Sequence, residues 1–279
     1  MTSTTGTVMA IGGAEDKIKG RALLTEFVRL AGAEDARIVI IPSASTIPKE
    51  RGDLYTGIFS ELGAGSVQIL QVSTRQQASS RKAARIVGDA TAVFVTGGIQ
   101  LRLISLLGGT AIAAAIHEMV AAGGVYCGTS AGAAAVSSHM IVTGREGMKI
   151  RRGMVDLAPG LGLISHAIVD QHFSQRGRLG RLIAAIGMNP QFLGIGIDED
   201  TAAVFRGDAT LDVYGTGQVV IVDASGVTST DVHTVSKTRP FMMSPLQLHL
   251  LNEGSRFSFT RRRIVAPRSV NVVKRKAHV

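Results

Sequence analysis

The sequence predicts an α/β fold: a doubly wound, mainly parallel sheet with helices on both faces and antiparallel strands added at one edge. Three observations predict it. Short β-rich runs alternate with segments whose apolar residues recur at helical spacing. The β-rich runs are continuously apolar, as in VIIP and AVFV, and strands buried on both faces of a parallel sheet read that way. No Pro/Gly/Ser-rich linker divides the chain, so one domain over residues 1–255 is expected, followed by a basic segment over 256–279.

In chain order the strands are expected at 7–13 (TVMAIGG), 37–44 (RIVIIPSA), 66–73 (SVQILQVS), 91–98 (TAVFVTGG) and 124–130 (GVYCGTS). Ile18–Ala31, Lys49–Leu62, Gln76–Val87 and Gln100–Ala122 carry the helical spacing between them. Helices of this length between strands are the crossovers that parallel pairing requires. The alternation continues through LISHAIVDQ (163–171), a helix near Arg176–Met188, and FLGIGIDED (192–200). Beyond Thr201 the runs TAAVFRG, ATLDVYG and QVVIVDAS follow one another without long helices, the spacing of antiparallel additions.

Composition narrows the class of function. The 279 residues, 45% of them hydrophobic, suffice for a large core. No apolar run reaches the roughly 18–20 residues needed to cross a bilayer. The N-terminal residues lack the basic-then-apolar order of a secretory signal. Cys127 is the only cysteine, so no intrachain disulfide can form, and a cytoplasmic protein is expected. The net charge of +9 is concentrated in the tail: eight Lys or Arg and no acid follow Ser255, and without them the body is near neutral. The tail is read as a solvated terminal segment, with no nucleic-acid partner expected.

In open α/β sheets ligands bind outside the carboxyl ends of the strands. Those ends carry Gly12-Gly13, Gly97-Gly98, Gly128–Gly132, Asp170–His172 and Asp198–Asp200. Gly128-Thr129-Ser130-Ala131-Gly132 fits G-x-S-x-G, in which a serine sits on a tight strand-to-helix turn with its hydroxyl projecting from the sheet. Ser130 is the candidate nucleophile. The alanines after it begin a helix whose first amide, that of Ala131, can donate to a developing oxyanion, and Gly98 is the candidate second donor. The motif alone is weak in a chain of 33 glycines; its strand-before, helix-after setting strengthens it. Cys127 reads as a small buried hydrophobe.

A hydroxyl nucleophile needs a base. Of seven histidines, His172 follows the apolar run AIVDQ at a strand end, expected on the same sheet edge as Ser130, and is the candidate. Its orienting carboxylate is sought among Asp198, Glu199 and Asp200, which the residues alone leave undecided. Metal binding by Asp170, His172 and this trio is an alternative; the favoured reading needs neither metal nor organic cofactor. The order serine, histidine, acid differs from that of α/β-hydrolases.

Together CGTSAGA (127–133), DQHFSQRGRLGRL (170–182) and GIGIDEDTA (194–202) resemble the cyanophycinases, in a family of serine peptidases that also contains aspartyl dipeptidases. The resemblance implies Ser130 as nucleophile, His172 as base and Glu199 as third member. It implies a substrate cleft lined by Gln100, Asp170, Gln171, Arg176, Arg178 and Arg181. The implied reaction is exopeptidase cleavage of cyanophycin, a poly-aspartate with arginine on each β-carboxyl, to β-aspartyl-arginine, and the implied assembly is a homodimer. Cationic forks suit the carboxyl groups of such a polymer. One departure stands out: Ile99 follows Thr96-Gly97-Gly98 where the family commonly has Asp or Asn. An aspartyl dipeptidase, or a catalytically idle polymer-binding protein, are the rival readings.

Overall fold

The computed structural model describes residues 6–145, 147 and 149–266. Its strands are β1 (Thr7–Ile11), β2 (Arg37–Ile41), β3 (Ser66–Ile69), β4 (Ala92–Val95), β5 (Val125–Thr129), β6 (His139–Gly144), β7 (Val155–Pro159), β8 (Ala167–Gln171), β9 (Leu193–Ile197), β10 (Thr201–Arg206), β11 (Thr210–Gly215), β12 (Val219–Asp223), β13 (Ser229–Thr230), β14 (Met243–Ser244), β15 (Gln247–Leu251), β16 (Arg256–Ser258) and β17 (Arg263–Val265). The helices are α1 (Ala22–Ala31), α2 (Pro48–Glu61), α3 (Arg75–Ala78), α4 (Arg81–Gly88), α5 (Gln100–Leu107), α6 (Ala111–Ala121), α7 (Ala131–Ala134) and α8 (Leu179–Met188).

The main sheet runs β17-β16-β11-β10-β1-β5-β4-β2-β3. From β1 to β3 all pairs are parallel. Beyond β1 the strands turn antiparallel. Side chains alternate between faces, as a pleated strand requires. Met9, Ile11, Ile38, Ile40 and Phe94 join one core with Phe27, Tyr55 and Phe59. Val8, Ala10, Val39, Ile41, Val93 and Val95 join the other. Burial on both faces explains why these runs lack polar residues.

Two expectations change. The segments 163–171 and 192–200 do not extend the main sheet, because β10 pairs antiparallel with β1 and takes its free edge. They form β8 and β9 of a second sheet, β15-β12-β9-β8, with its own core around Ile168, Phe173, Leu182, Ile186 and Val222. His172 therefore sits on a different sheet from Ser130. Similarly, the helical runs 76–87 and 100–122 are each broken in two. Ser80 caps α4 by accepting from the Ala83 amide at 3.1 Å, and Gly108-Gly109 interrupt the second run between α5 and α6. The main sheet also continues past residue 255 through β16 and β17. Residues 267–279, the rest of the basic segment, lie outside the described residues.

The two sheets meet at Gly12. Its amide donates to the Thr201 carbonyl at 2.9 Å, and its carbonyl accepts from the His172 amide at 2.8 Å. A Cβ at this position would stand 2.0 Å from the Asp198 carbonyl oxygen and 2.5 Å from that of Ile197. Backbone leaves no room for a side chain here. Gly12→Ala is accordingly expected to lower stability by about 3 kcal/mol, the upper part of the overpacking range, and to separate Ser130 from His172. Urea unfolding of the variant, read beside its residual activity, checks both.

Candidate active site

The end of β5 turns sharply. Ser130 has φ 52° and ψ −106°, an uncommon conformation for a residue with a side chain, and its amide donates to the Ile11 carbonyl at 2.9 Å. Glycine makes the turn possible: a Cβ on Gly128 would lie 2.3 Å from the backbone of Gly132. Gly132 is itself pressed against the Val95 carbonyl, where a Cβ would come within 2.5 Å. The buried alanines of α7 follow directly.

The end of β8 turns as sharply. His172 has φ 45°, with its amide tied to Gly12 and that of Phe173 tied to the Ile197 carbonyl at 3.2 Å. The phenyl ring of Phe173 packs on Gly196, where a Cβ would intrude to 2.5 Å. Gly13 has φ 100°, and a Cβ there would strike the His172 ring at 2.3 Å. Left-handed backbone at non-glycine residues costs about 1–3 kcal/mol each. Ser130, His172 and Asp200 (φ 47°) all carry a positive φ within one small region. The surrounding strands and glycine contacts hold them there.

These turns bring three side chains into line. His172 Nε2 lies 2.9 Å from Ser130 Oγ, and His172 Nδ1 lies 2.6 Å from Glu199 Oε1. Among the three acids only Glu199 reaches the ring. Asp198 instead accepts from the amides of Ser174 and Gln218 at 2.9 and 3.1 Å, and Asp200 accepts from the Asp16 amide at 3.0 Å. Gln175 accepts from the Glu199 amide at 3.1 Å and steadies that turn. Burial lowers the affinity of His172 for a proton below its ordinary value near 6.5; Arg176 and Arg178 act in the same direction, and Glu199 opposes them. Cys127 is buried in β5, and burial pushes its thiol well up.

Gly98 approaches from the end of β4. Its φ is 149°, and a Cβ would collide with the Ala44 carbonyl at 2.1 Å. Gly97 is adjacent, with its missing Cβ 3.2 Å from that of Ser130. Beside Ser130 opens a cavity of about 430 Å³ whose lining includes Glu15, Lys17, Arg51, Tyr55, Gly98 and Ile99.

The residues expected to line a cleft divide into separate roles. Arg176 is exposed near His172. Asp170, Gln171, Arg178 and Arg181 are buried. Arg181 grips Asp170 with two bonds, Nε to Oδ2 at 2.6 Å and Nη2 to Oδ1 at 2.5 Å, while Arg178 donates to the Gln171 carbonyl. Here they brace the strand that ends in His172. Gln100 donates to the carbonyls of Ile141 and Val142, both at 3.1 Å, tying α5 to β6. With Asp170 held by Arg181 and both His172 nitrogens engaged, the donors of the metal-binding alternative do not converge; no group of three metal-ligating side chains occurs among the described residues.

The model of peptidase family S51 matches residues 8–213, which include all three aligned side chains. The chain belongs to peptidase family S51. A protein named cyanophycinase from Trichormus variabilis is 46% identical over 264 residues, 94% of this chain and 89% of that one. Another from Geminocystis herdmanii is 46% identical over 252 residues, 90% and 93% of the two chains. Among solved structures, a peptidase from an acI-B1 Actinobacterium superposes with a TM-score of 0.66 at 23% identity, covering 92% of this chain and 98% of its own. A putative peptidase E protein from Listeria monocytogenes reaches 0.52 at 18% identity, covering 76% and 99%. Those two speak to the fold alone. No single helix among the described residues is long and apolar enough to cross a membrane.

Within this S51 site the sequence reading missed Glu15. Its carboxylate is buried against Tyr55, accepts from Thr129 Oγ1 at 2.6 Å and pairs with Lys17 at 3.0 Å. The signal was present: an acid three residues beyond Gly12 at a strand end, the same logic that singled out Asp198–Asp200. Ile99, 52% exposed, stands at the N-cap of α5, where no side chain caps the helix. Ile99→Asp should therefore raise the unfolding free energy by about 1 kcal/mol, the usual worth of an N-cap, as read from denaturant midpoints.

Proposed function

We propose that this S51 peptidase is a serine exopeptidase that degrades cyanophycin, releasing β-aspartyl-arginine. The observation that carries the reading is the unbroken chain Ser130–His172–Glu199 in a protein 46% identical to proteins named cyanophycinase over about nine-tenths of its length.

The chemistry follows from that chain. His172, neutral, accepts the Ser130 proton on Nε2 as Oγ attacks the backbone carbonyl of an aspartyl residue. Glu199 holds the ring in the tautomer that leaves Nε2 free, and it stabilises the imidazolium as it forms. The amides of Gly98 and Ala131 serve as oxyanion donors: one lies beside the nucleophile, the other opens α7, where helix-terminal N–H groups are free to turn outward. His172 then gives its proton to the leaving amine, and water, activated by the same histidine, hydrolyses the acyl-enzyme. Since the leaving amine must meet His172, the leaving residue lies on that side of the serine. Arg176 is there to meet its carboxylates. Two further expectations accompany the reading, a cytoplasmic location and a homodimer, testable by cell fractionation and by the particle mass in solution.

Incubation with insoluble cyanophycin, with soluble products read by mass spectrometry, tests the assignment. The parent is expected to release β-aspartyl-arginine, and Ser130→Ala should lose a factor of at least about 10⁴ in kcat. Release of nothing from cyanophycin, with Asp-X dipeptides cleaved instead, would show a dipeptidase.

The pH profile tests the base. Below the His172 pKa the base is protonated and kcat/KM falls with pH; above it the rate is level. Because that pKa is lowered, the fall should begin below 6.5. Arg176→Ala removes a charge that disfavours the imidazolium, so the acid limb should move to higher pH. A limb that stays in place or moves the other way contradicts His172 as the titrating group.

A further inference from the structure

The cavity beside Ser130 has a charge pattern that the triad does not use. Glu15, at its base, is the only acid in the lining, and both of its oxygens are engaged: one with Tyr55 and Lys17, the other with Thr129. Lys17 is in turn committed to Glu15 through its carboxylate and its backbone carbonyl, each at 3.0 Å. The two charges offset each other. The remaining cation is Arg51, on the first turns of α2, whose guanidinium has no hydrogen-bond or ion-pair partner among the described residues. The cavity that Ser130 borders therefore presents one net positive, fork-shaped donor.

Which part of a substrate enters it follows from the lining. Gly97, Gly98 and Ser130 border the cavity, whereas His172 does not. The leaving group must sit against His172 to be protonated, so the cavity takes the side chain of the residue whose carbonyl is attacked. In cyanophycin that side chain is an aspartyl β-carboxyl joined to the α-amine of arginine, which leaves the arginine α-carboxylate free partway along the branch. A guanidinium fork binds a carboxylate with two parallel bonds, and it repels another guanidinium. Ile47 and Ile99, 46% and 52% exposed at the rim, offer apolar surface to the methylenes beyond.

We infer that Arg51 is a specificity-determining residue that binds the free carboxylate of the arginyl branch on the acyl residue, and that this cavity is the subsite for that branch. The inference rests on the cyanophycin reading.

The test uses two synthetic oligomers of β-aspartyl-arginine with the full-length protein. One is unmodified. In the other, agmatine replaces arginine on the acyl residue, which removes only the branch carboxylate. The parent should favour the unmodified oligomer by roughly tenfold to a hundredfold in kcat/KM, the range of charge-assisted bonding, expressed mainly in KM. In Arg51→Met that preference should collapse towards one, and Arg51→Lys should recover part of it, since a single ammonium replaces the fork. A parent that cleaves both oligomers equally, or an Arg51→Met variant that keeps the parental preference, overturns this inference alone. A parent that cleaves neither oligomer overturns the cyanophycin reading, and this inference with it. Arg51 is exposed, and unchanged thermal unfolding of the variants would separate lost recognition from lost structure.

Discussion

The hydrogen bond from the His172 amide to the Gly12 carbonyl is the contact on which the site depends. Ser130 follows a strand of one sheet and His172 follows a strand of another, so the alignment of their side chains depends on how the two sheets are joined. At Gly12 the two backbones touch without side chains between them. Gly13 extends the same device, because its missing Cβ is the space that the imidazole occupies. Once those backbones are pinned, the short serine and histidine side chains have little choice of direction. The cost appears in the dihedral angles, with positive φ at Ser130, His172 and Asp200. Strain of this kind persists only where surrounding structure over-determines it, and here two strand ends and a helix converge.

Electrostatics is arranged around that junction in layers. Burial and two nearby guanidinium groups lower the affinity of His172 for a proton, while Glu199 opposes them. The innermost charges, Asp170 with Arg181, serve the backbone. A buried pair of this kind adds little net stability, because desolvation offsets most of the attraction, yet removing one partner would leave the other uncompensated. Its bidentate geometry holds α8 to the end of β8 and so limits movement of the loop that carries the histidine. The motif DQHFSQRGRLGRL thus has an inward-facing half that braces the end of β8 and an outward-facing member, Arg176, exposed near His172.

On the other side of Ser130, Glu15 does comparable work through Thr129. The hydroxyl of the residue just before Ser130 is held by a carboxylate that also meets Tyr55, and the Tyr55 ring packs among Phe59 and Phe94 in the main core. The serine turn is consequently anchored from the hydrophobic core on one face and from the second sheet on the other.

Much of this was legible in the residues. The continuously apolar runs marked the parallel strands because burial on both faces admits no polar alternation, and Gly128–Gly132 marked the turn because only glycine tolerates that approach of backbone. Ser130 and His172 stood out as candidates by their places at strand ends, although the two ends belong to different sheets and not to one sheet edge. The spacing of residues alone could not decide among Asp198, Glu199 and Asp200, and only the resemblance pointed to Glu199, since the facing of the three acids depends on a turn with φ 47° at Asp200. Nor could it divide the strands between two sheets, or show that Arg178 and Arg181 face inward. Arg51 belongs to no motif, and only the packing of α2 beside the strand ends brings it to the cavity. Strand and turn propensities are local and are written in short runs of residues. Sheet partners, the facing of a carboxylate and the pairing of a buried charge depend on groups far apart in the chain, and only the folded tertiary structure brings those together.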